Sequence, residues 1–291
     1  LEKFYQNSEK IIAQNKGSSN DLKDIDRWML SRIQSHIQEA DGAMEELKVR
    51  KTIHAAMYDM NQDLDWYKKR VEHYREREDR VDAINFVEWK VLDTQVRMLA
   101  PFTPHICEEI WENMGGNGYV AFAEWPEVEQ DYINPEAEEL ETIIQNSVED
   151  VQKIIKVTGI TPEKVHFYAA DGWKWKVYLK GLELERQGNL DVGNLIRESF
   201  KDEEMKVRSS QVPGFARSIV DEITKLPHDK LIKRLRVGQV NDVSLIQDAS
   251  TFLEHEFDAE IAVYAESDPW VEDPENRSQR AKPYRPAIYV E

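Results

Sequence analysis

The run Asp171-Gly172-Trp173-Lys174-Trp175-Lys176-Val177 interleaves two indoles with two ammonium groups. That combination suits RNA: rings stack on splayed bases while cations meet phosphate. The same spacing suits a helix start whose Trp173 and Val177 pack inward while its lysines face water, and spacing alone does not choose. Cations gather in three further places. Lys48, Arg50 and Lys51 fall at a helix junction, and Lys68, Lys69 and Arg70 follow Trp66-Tyr67 at the end of a helical stretch. Cations near a helix C-terminus are favoured by its dipole whether or not they bind anything. Between Lys225 and Arg236, five cations (Lys225, Lys230, Lys233, Arg234, Arg236) stand against one acid, Asp229, in a chain of net charge −18.

Covalent and metal chemistry find no such footing. Gly115-Gly116-Asn117-Gly118 reads as a helix stop and not as a nucleotide fingerprint. His255-Glu256 lacks the second histidine of a zincin, and single histidines such as His36 and His54 read as ordinary polar-face or core residues. One cysteine excludes a disulfide framework and a thiolate zinc site; Cys107 lies on an apolar stripe and reads as a small core hydrophobe. At 32% charged residues, paired carboxylates are mostly solvated faces. The residues describe a binding module with no catalytic group, metal or cofactor of its own. The net charge repels a polyanion at long range, yet it equally fits a salt-adapted protein with local basic patches. No run approaches the length of a membrane span and no signal peptide is visible, so the expected compartment is the cytoplasm. The sequence opens on Leu1 and not on Met, which reads as a piece of something longer.

The elements that carry these residues follow from periodicity. A helix is expected over Leu1 to about Gln14. Ile25, Met29, Ile33, Ile37, Ala40, Met44 and Leu47 keep one face apolar behind Asp24 as N-cap. Ile53, Ala56, Met57, Met60, Leu64, Tyr67 and Val71 repeat the pattern, and Ile84, Val87, Val91, Val96 and Leu99 carry it to Pro101. "MLAPFTPHICEEIWENMGG" (98–116) then breaks the helix at Pro101 and restarts it with Thr103 as N-cap and Pro104 at the first position. Cys107, Ile110, Trp111 and Met114 form its inward stripe, and Gly115-Gly116 its stop. After a non-helical stretch, Asn134-Pro135 opens another helix. Val165–Ala169, Ile261–Tyr264 and Ala287–Val290 alternate like strands, with helical stretches around 173–185, 191–203, 214–226 and 246–256 between them. Asp268 to Pro286 reads as a polar, loosely ordered loop. The expected fold class is α + α/β: an antiparallel helix bundle over 1–130, then a small α/β domain over 131–291 with a short sheet covered by helices.

Several stretches together resemble a known family. "MLAPFTPHICEEIWENMGG", "DIDRWMLSRI" (24–33) and "NQDLDWYKKR" (61–70) are similar to the helical anticodon-binding domain of class I aminoacyl-tRNA synthetases for large aliphatic amino acids. "DGWKWKV" (171–177) and "KPYRPAIYVE" (282–291) resemble the C-terminal domain of archaeal and eukaryotic-type leucyl-tRNA synthetases. The resemblance implies a bundle that cradles the inner elbow of leucine tRNA. It also implies a C-terminal domain that reaches the tip of the long variable arm through Trp173, Lys174, Trp175, Lys176, Val290 and Glu291. The HIGH and KMSKS motifs and any editing motif are absent, so the piece itself is expected to be inactive. The parent would join leucine to tRNA with ATP and magnesium, and the catalytic and editing domains of the same chain would be this piece's partners. The rival readings are the matching part of a valyl or isoleucyl enzyme, and a helical scaffold that docks protein. Lys230, Lys233, Arg234 and Arg236, with Arg50, Lys51, Lys68, Lys69 and Arg70, are the expected phosphate contacts. Val290 and Glu291 are expected to be tied into the sheet, where a carboxylate would meet base amino groups in preference to phosphate.

Overall fold

The computed structural model describes residues 1–75 and 77–291. The chain separates into two compact units, Leu1–Glu138 and Glu139–Glu291, so the division falls past the loop near residue 130 where the sequence placed it.

The first unit is a helix bundle: α1 (Glu2–Ile12), α2 (Asp24–Glu45), α3 (Val49–Ile53), a π-helical turn at His54–Asp59, α4 (Met60–Val71), α5 (Val81–Leu99) and α6 (Pro104–Asn113). The apolar stripes meet as their periods require. Met29, Ile33 and Ile37 of α2 share one core with Met60, Leu64 and Tyr67 of α4 and with Ile84, Val87 and Val91 of α5. Each such side chain contributes about 1.5–3 kcal/mol on burial. One carboxylate lies inside this core fully satisfied. Asp26 accepts from the Tyr67 hydroxyl at 2.7 Å, the Arg80 guanidinium at 2.9 Å and the Lys23 amide at 2.7 Å. This knot sets the start of α2, so Asp24 is the first helical residue and not the N-cap. Leu47, expected on the α2 stripe, lies beyond the helix end and is exposed.

The corner behaves as its prolines dictate, with one difference. α5 stops at Leu99, and α6 starts on Pro104 after Thr103. The Thr103 hydroxyl does not accept from an amide; it donates to the Leu99 carbonyl at 3.3 Å and lies 3.4 Å from Cys107 Sγ. The bend brings that carbonyl within reach, and the Phe102 and Thr103 amides also donate to it. At the other end of α6, the Gly116 amide donates to the Trp111 carbonyl at 2.9 Å. A β-carbon on Gly116 would lie 2.3 Å from the Trp111 ring. Glu108 accepts the Val120 and Ala121 amides and pins the loop after the helix stop.

The second unit follows from α7 (Pro135–Thr158), whose first turn is capped as expected by Asn134 Oδ1 accepting the Ala137 amide at 3.0 Å. β1 (Lys164–Ala169) leads into α8 (Gly172–Arg186), α9 (Val192–Ser199), α10 (Glu203–Val207), α11 (Val212–Thr224), α12 (His228–Val237), α13 (Asp242–Asp248) and α14 (Ser250–Phe257), then β2 (Glu260–Ala265) and β3 (Ala287–Val290). The sheet order is β2-β1-β3. β2 runs parallel to β1 in the register Lys164↔Glu260 to Ala169↔Ala265, and β3 runs antiparallel, with Val165 opposite Val290. Alternation sets Val165 and Phe167 on one face and His166 and Tyr168 on the other, where their rings lie beside those of Tyr264 and Tyr289. α12 and α10 were not foreseen. The segment 268–286 is tied down more than its composition suggested. The Tyr168 hydroxyl donates to the Glu272 carbonyl at 2.6 Å, and Tyr284 is buried with its hydroxyl on the Gly238 carbonyl at 2.6 Å.

Candidate nucleic-acid interface

α8 begins at Gly172, directly after β1, so the DGWKWKV run is a helix start. Trp173 and Trp175 are buried. Trp173 meets Phe215 edge-on at 5.3 Å, and Trp175 meets Tyr284 edge-on at 4.8 Å. Their rings are covered by protein, so they offer no stacking surface. Lys174 is buried too, contrary to both readings of the lysines. Its ammonium donates to the Gln279 and Ala281 carbonyls at 2.8 and 2.9 Å and lies 2.8 Å from Glu266. Lys174 therefore holds the 268–286 segment against α8. Lys176 is exposed but sits between Asp202 and Glu204, at 3.3 and 2.6 Å. Those carboxylates raise its ammonium pKa and already supply its counter-charge.

The basic stretch 225–236 is mostly α12, and it divides by face. Arg234 points inward. It donates to Glu139 at 3.1 Å and to the Tyr178 hydroxyl at 2.5 Å, and its guanidinium stacks 4.4 Å from the centre of the Tyr284 ring. Removing one partner from a buried pair of this kind costs about 3–5 kcal/mol. Arg234 is a structural cation and leaves the expected set of phosphate contacts. Lys230 and Lys233 are half-buried, and Arg236 and Lys225 are exposed. Burial, with Arg234 next, lowers the Lys230 pKa.

In the first unit Arg70 is buried and Lys68 half-buried, while Lys69 is exposed. Burial lowers the Lys68 pKa, against the raising effect of Glu88. Arg50 and Lys51 are exposed at the α2–α3 corner. β3 carries the last expected contacts. Val290 is buried against β1. The Glu291 amide donates to the Lys164 carbonyl at 3.0 Å, and its own carbonyl accepts the Glu163 and Lys164 amides at 2.6 and 3.0 Å. Its carboxylate is half-exposed, 3.3 Å from His166 Nε2. The expected tie of the backbone into the sheet is present, and it brings a carboxylate to the surface.

Of the cations named from the sequence, the exposed ones therefore lie at the α2–α3 corner, on α4, on α8 at Lys176, at Lys225 and on the outer side of α12, and the Glu291 carboxylate lies on the sheet edge. Among the described residues, no group of three or more His, Cys, Asp or Glu side chains could hold a metal ion. No described helix is long and apolar enough to cross a membrane. Residues 26–167 match the sequence model of the anticodon-binding domain of tRNA ligase. The match runs from the Asp26 knot through the Pro101 corner into β1. Over its whole length the chain also matches the C-terminal part of archaeal leucine–tRNA ligases. It is 34% identical over 295 residues to that of Methanococcoides burtonii and 33% over 292 residues to that of Pyrococcus abyssi. It spans 29% and 28% of the length of those two relatives. Among solved structures, a ternary complex of an Agrobacterium radiobacter leucyl-tRNA synthetase with tRNA and LeuAMS superimposes at a TM-score of 0.35 and 21% identity. That superposition covers 58% of this chain and 17% of the other.

The burial of the tryptophans had a sequence signal. Trp173 and Val177 stand four apart on one helical face, while Trp175 shares the opposite face with Tyr178 and Leu182. Lys174 and Arg234 had none, because their partners lie between 50 and 107 residues away in sequence.

Proposed function

We propose that this chain is the tRNA-binding part of a leucine–tRNA ligase. The bundle cradles the inner elbow of leucine tRNA, and the second unit meets the tip of the long variable arm. Lys51, Arg50, Lys68 and Lys69 in the first unit, and Lys230, Lys233, Arg236 and Lys176 in the second, neutralise phosphates. Glu291, held in place by β3 with Val290 buried beneath it, faces base edges, whose amino groups donate to its carboxylate. In the whole ligase, the catalytic and editing domains act on the same tRNA, with ATP and magnesium at the catalytic part, in the cytoplasm. The leucine reading is carried by one observation: identity to leucine–tRNA ligases extends over the entire chain, including the α/β unit that lies mostly outside the anticodon-binding match. A valyl or isoleucyl reading does not account for that second unit.

Glu291→Gln tests the reading head, since it removes the charge and keeps the backbone hydrogen bonds that tie β3 to β1. The expected result is a thermal midpoint close to that of the intact chain with discrimination for the variable-arm tip lost. Discrimination that survives the substitution at full strength would leave β3 a purely structural strand.

A further inference from the structure

The turn between α2 and α3 exposes apolar side chains beside cations. Leu47 has a left-handed backbone, φ 56°, at the position after a helix where glycine is usual. The Leu47 amide donates to the Met44 carbonyl at 3.0 Å and the Lys48 amide to the Ala43 carbonyl at 2.8 Å, so the turn is built and not frayed. A leucine there is strained by its own β-carbon. It gains no packing in return, because Leu47 is 84% exposed. Val49 and Tyr58 are exposed as well. Leu47, Lys48, Val49, Arg50, Lys51 and His54 line an open groove of about 590 Å³.

Two further observations say what the groove fits. The segment Leu47–Tyr58 holds Lys48, Arg50 and Lys51 and no acid, in a chain of net charge −18. Lys48 and Lys51 make exposed pairs with Glu46 and Glu39, of the kind that exchange readily for another anion, and Arg50 makes no ion pair among the described residues. His54 opens the π-helical turn, a feature that often marks a functional site. Its ring lies 5.0 Å from that of Tyr58 at 38°. Exposed rings and apolar side chains beside unpaired positive charge form a stacking platform for a splayed base.

We propose that the α2–α3 corner is a nucleobase-stacking site that takes one unpaired nucleotide of the bound tRNA. Leu47, Val49 and the His54–Tyr58 pair cover the base, and Arg50 meets its phosphate. The inference rests on the tRNA-binding reading above, and it adds a site in the first unit that is independent of the variable arm.

The test uses the intact chain with two RNAs, a leucine tRNA transcript and a short unstructured oligoadenylate. Leu47→Gly suits the left-handed backbone and so keeps the fold while removing the apolar knob. His54→Ala with Tyr58→Ala removes the rings from an exposed surface. Both variants should melt at or near the wild-type midpoint and bind both RNAs roughly 5- to 100-fold more weakly, with the salt dependence unchanged. Arg50→Gln should instead flatten the salt slope by about one unit. Unaltered affinity of the ring and Leu47 variants for both RNAs overturns the proposal and leaves tRNA binding standing. If the wild-type chain fails to prefer leucine tRNA but still loses oligoadenylate with its rings, the stacking site stands and the selectivity reading falls. If oligoadenylate does not bind and only an acidic, apolar peptide competes for the groove, the corner is a protein-docking surface and the proposal is wrong.

Discussion

Asp242 shows what one side chain contributes when nothing meets it. It opens α13 on the second unit, is 3% exposed, and neither carboxylate oxygen has a hydrogen-bond partner in the structure. Burial pushes its pKa from 3.8 up to about 7. The folded chain therefore keeps a proton that the unfolded chain has released between roughly pH 4 and pH 7. The folded pKa is the higher one, so this contribution is fully present below pH 4, is lost as pH rises through the window, and is flat above it. A shift of that size corresponds to about 4 kcal/mol as a ceiling. Asp242→Asn should flatten the fall in stability between pH 4.5 and 7.5, read as the difference between urea midpoints of variant and wild type at the two pH values. An identical fall in both would mean that the carboxylate is solvated in the native state. Lys174 and Arg234 are the opposite case, since each has its partners in place. Both were legible as cations in the sequence, but their direction was not, because Gln279, Ala281 and Glu139 reach them only through the fold.

Among the elements, those with strong periods were readable and those set by backbone geometry were not. The stripe of α5, the Pro101 corner and the three strands follow from residue spacing, because burial on one face selects the period. The π-helical turn at His54–Asp59 sits in the middle of an unbroken apolar pattern, so hydropathy carried no sign of it. α12 was read as a basic stretch because its inward residues include Arg234. The loop between α1 and α2 gives the sharpest element-level prediction. Gly17 has φ 72°, and a β-carbon there would lie 2.1 Å from the Asp82 carbonyl oxygen and 2.7 Å from the Phe86 amide nitrogen. Both are backbone atoms in the first turns of α5, so neither gives way cheaply. Gly17→Ala should destabilise the chain by about 3 kcal/mol, combining overpacking with the left-handed penalty. A denaturation midpoint unchanged within error would show that the loop does not rest on α5.

At the scale of the whole chain, the excess of acid and the proposed RNA partner have to be reconciled. The structure shows how the acid is distributed: many carboxylates are occupied in pairs such as Asp202 and Glu204 with Lys176, while the segment Leu47–Tyr58 contains no acid of its own and, among the described residues, meets only Glu39 and Glu46 through Lys51 and Lys48. Long-range repulsion slows approach, and local cations still fix the bound phosphates, so binding should weaken as salt rises once contact is made. The resemblance in the sequence agrees with the anticodon-binding and leucine–tRNA ligase matches, but it did not reach the contacts, because in the most RNA-like run, Asp171–Val177, both tryptophans and Lys174 are buried and Lys176 is left exposed. That leaves the edge of β3 and the outer side of α12 as the surfaces for the proposed selectivity. The direct test is filter binding of the intact chain to leucine tRNA with and without its long variable arm, at one fixed salt and magnesium concentration. The account predicts clearly tighter binding to the intact tRNA, with each species losing affinity as salt is raised; equal affinities for the two would contradict it.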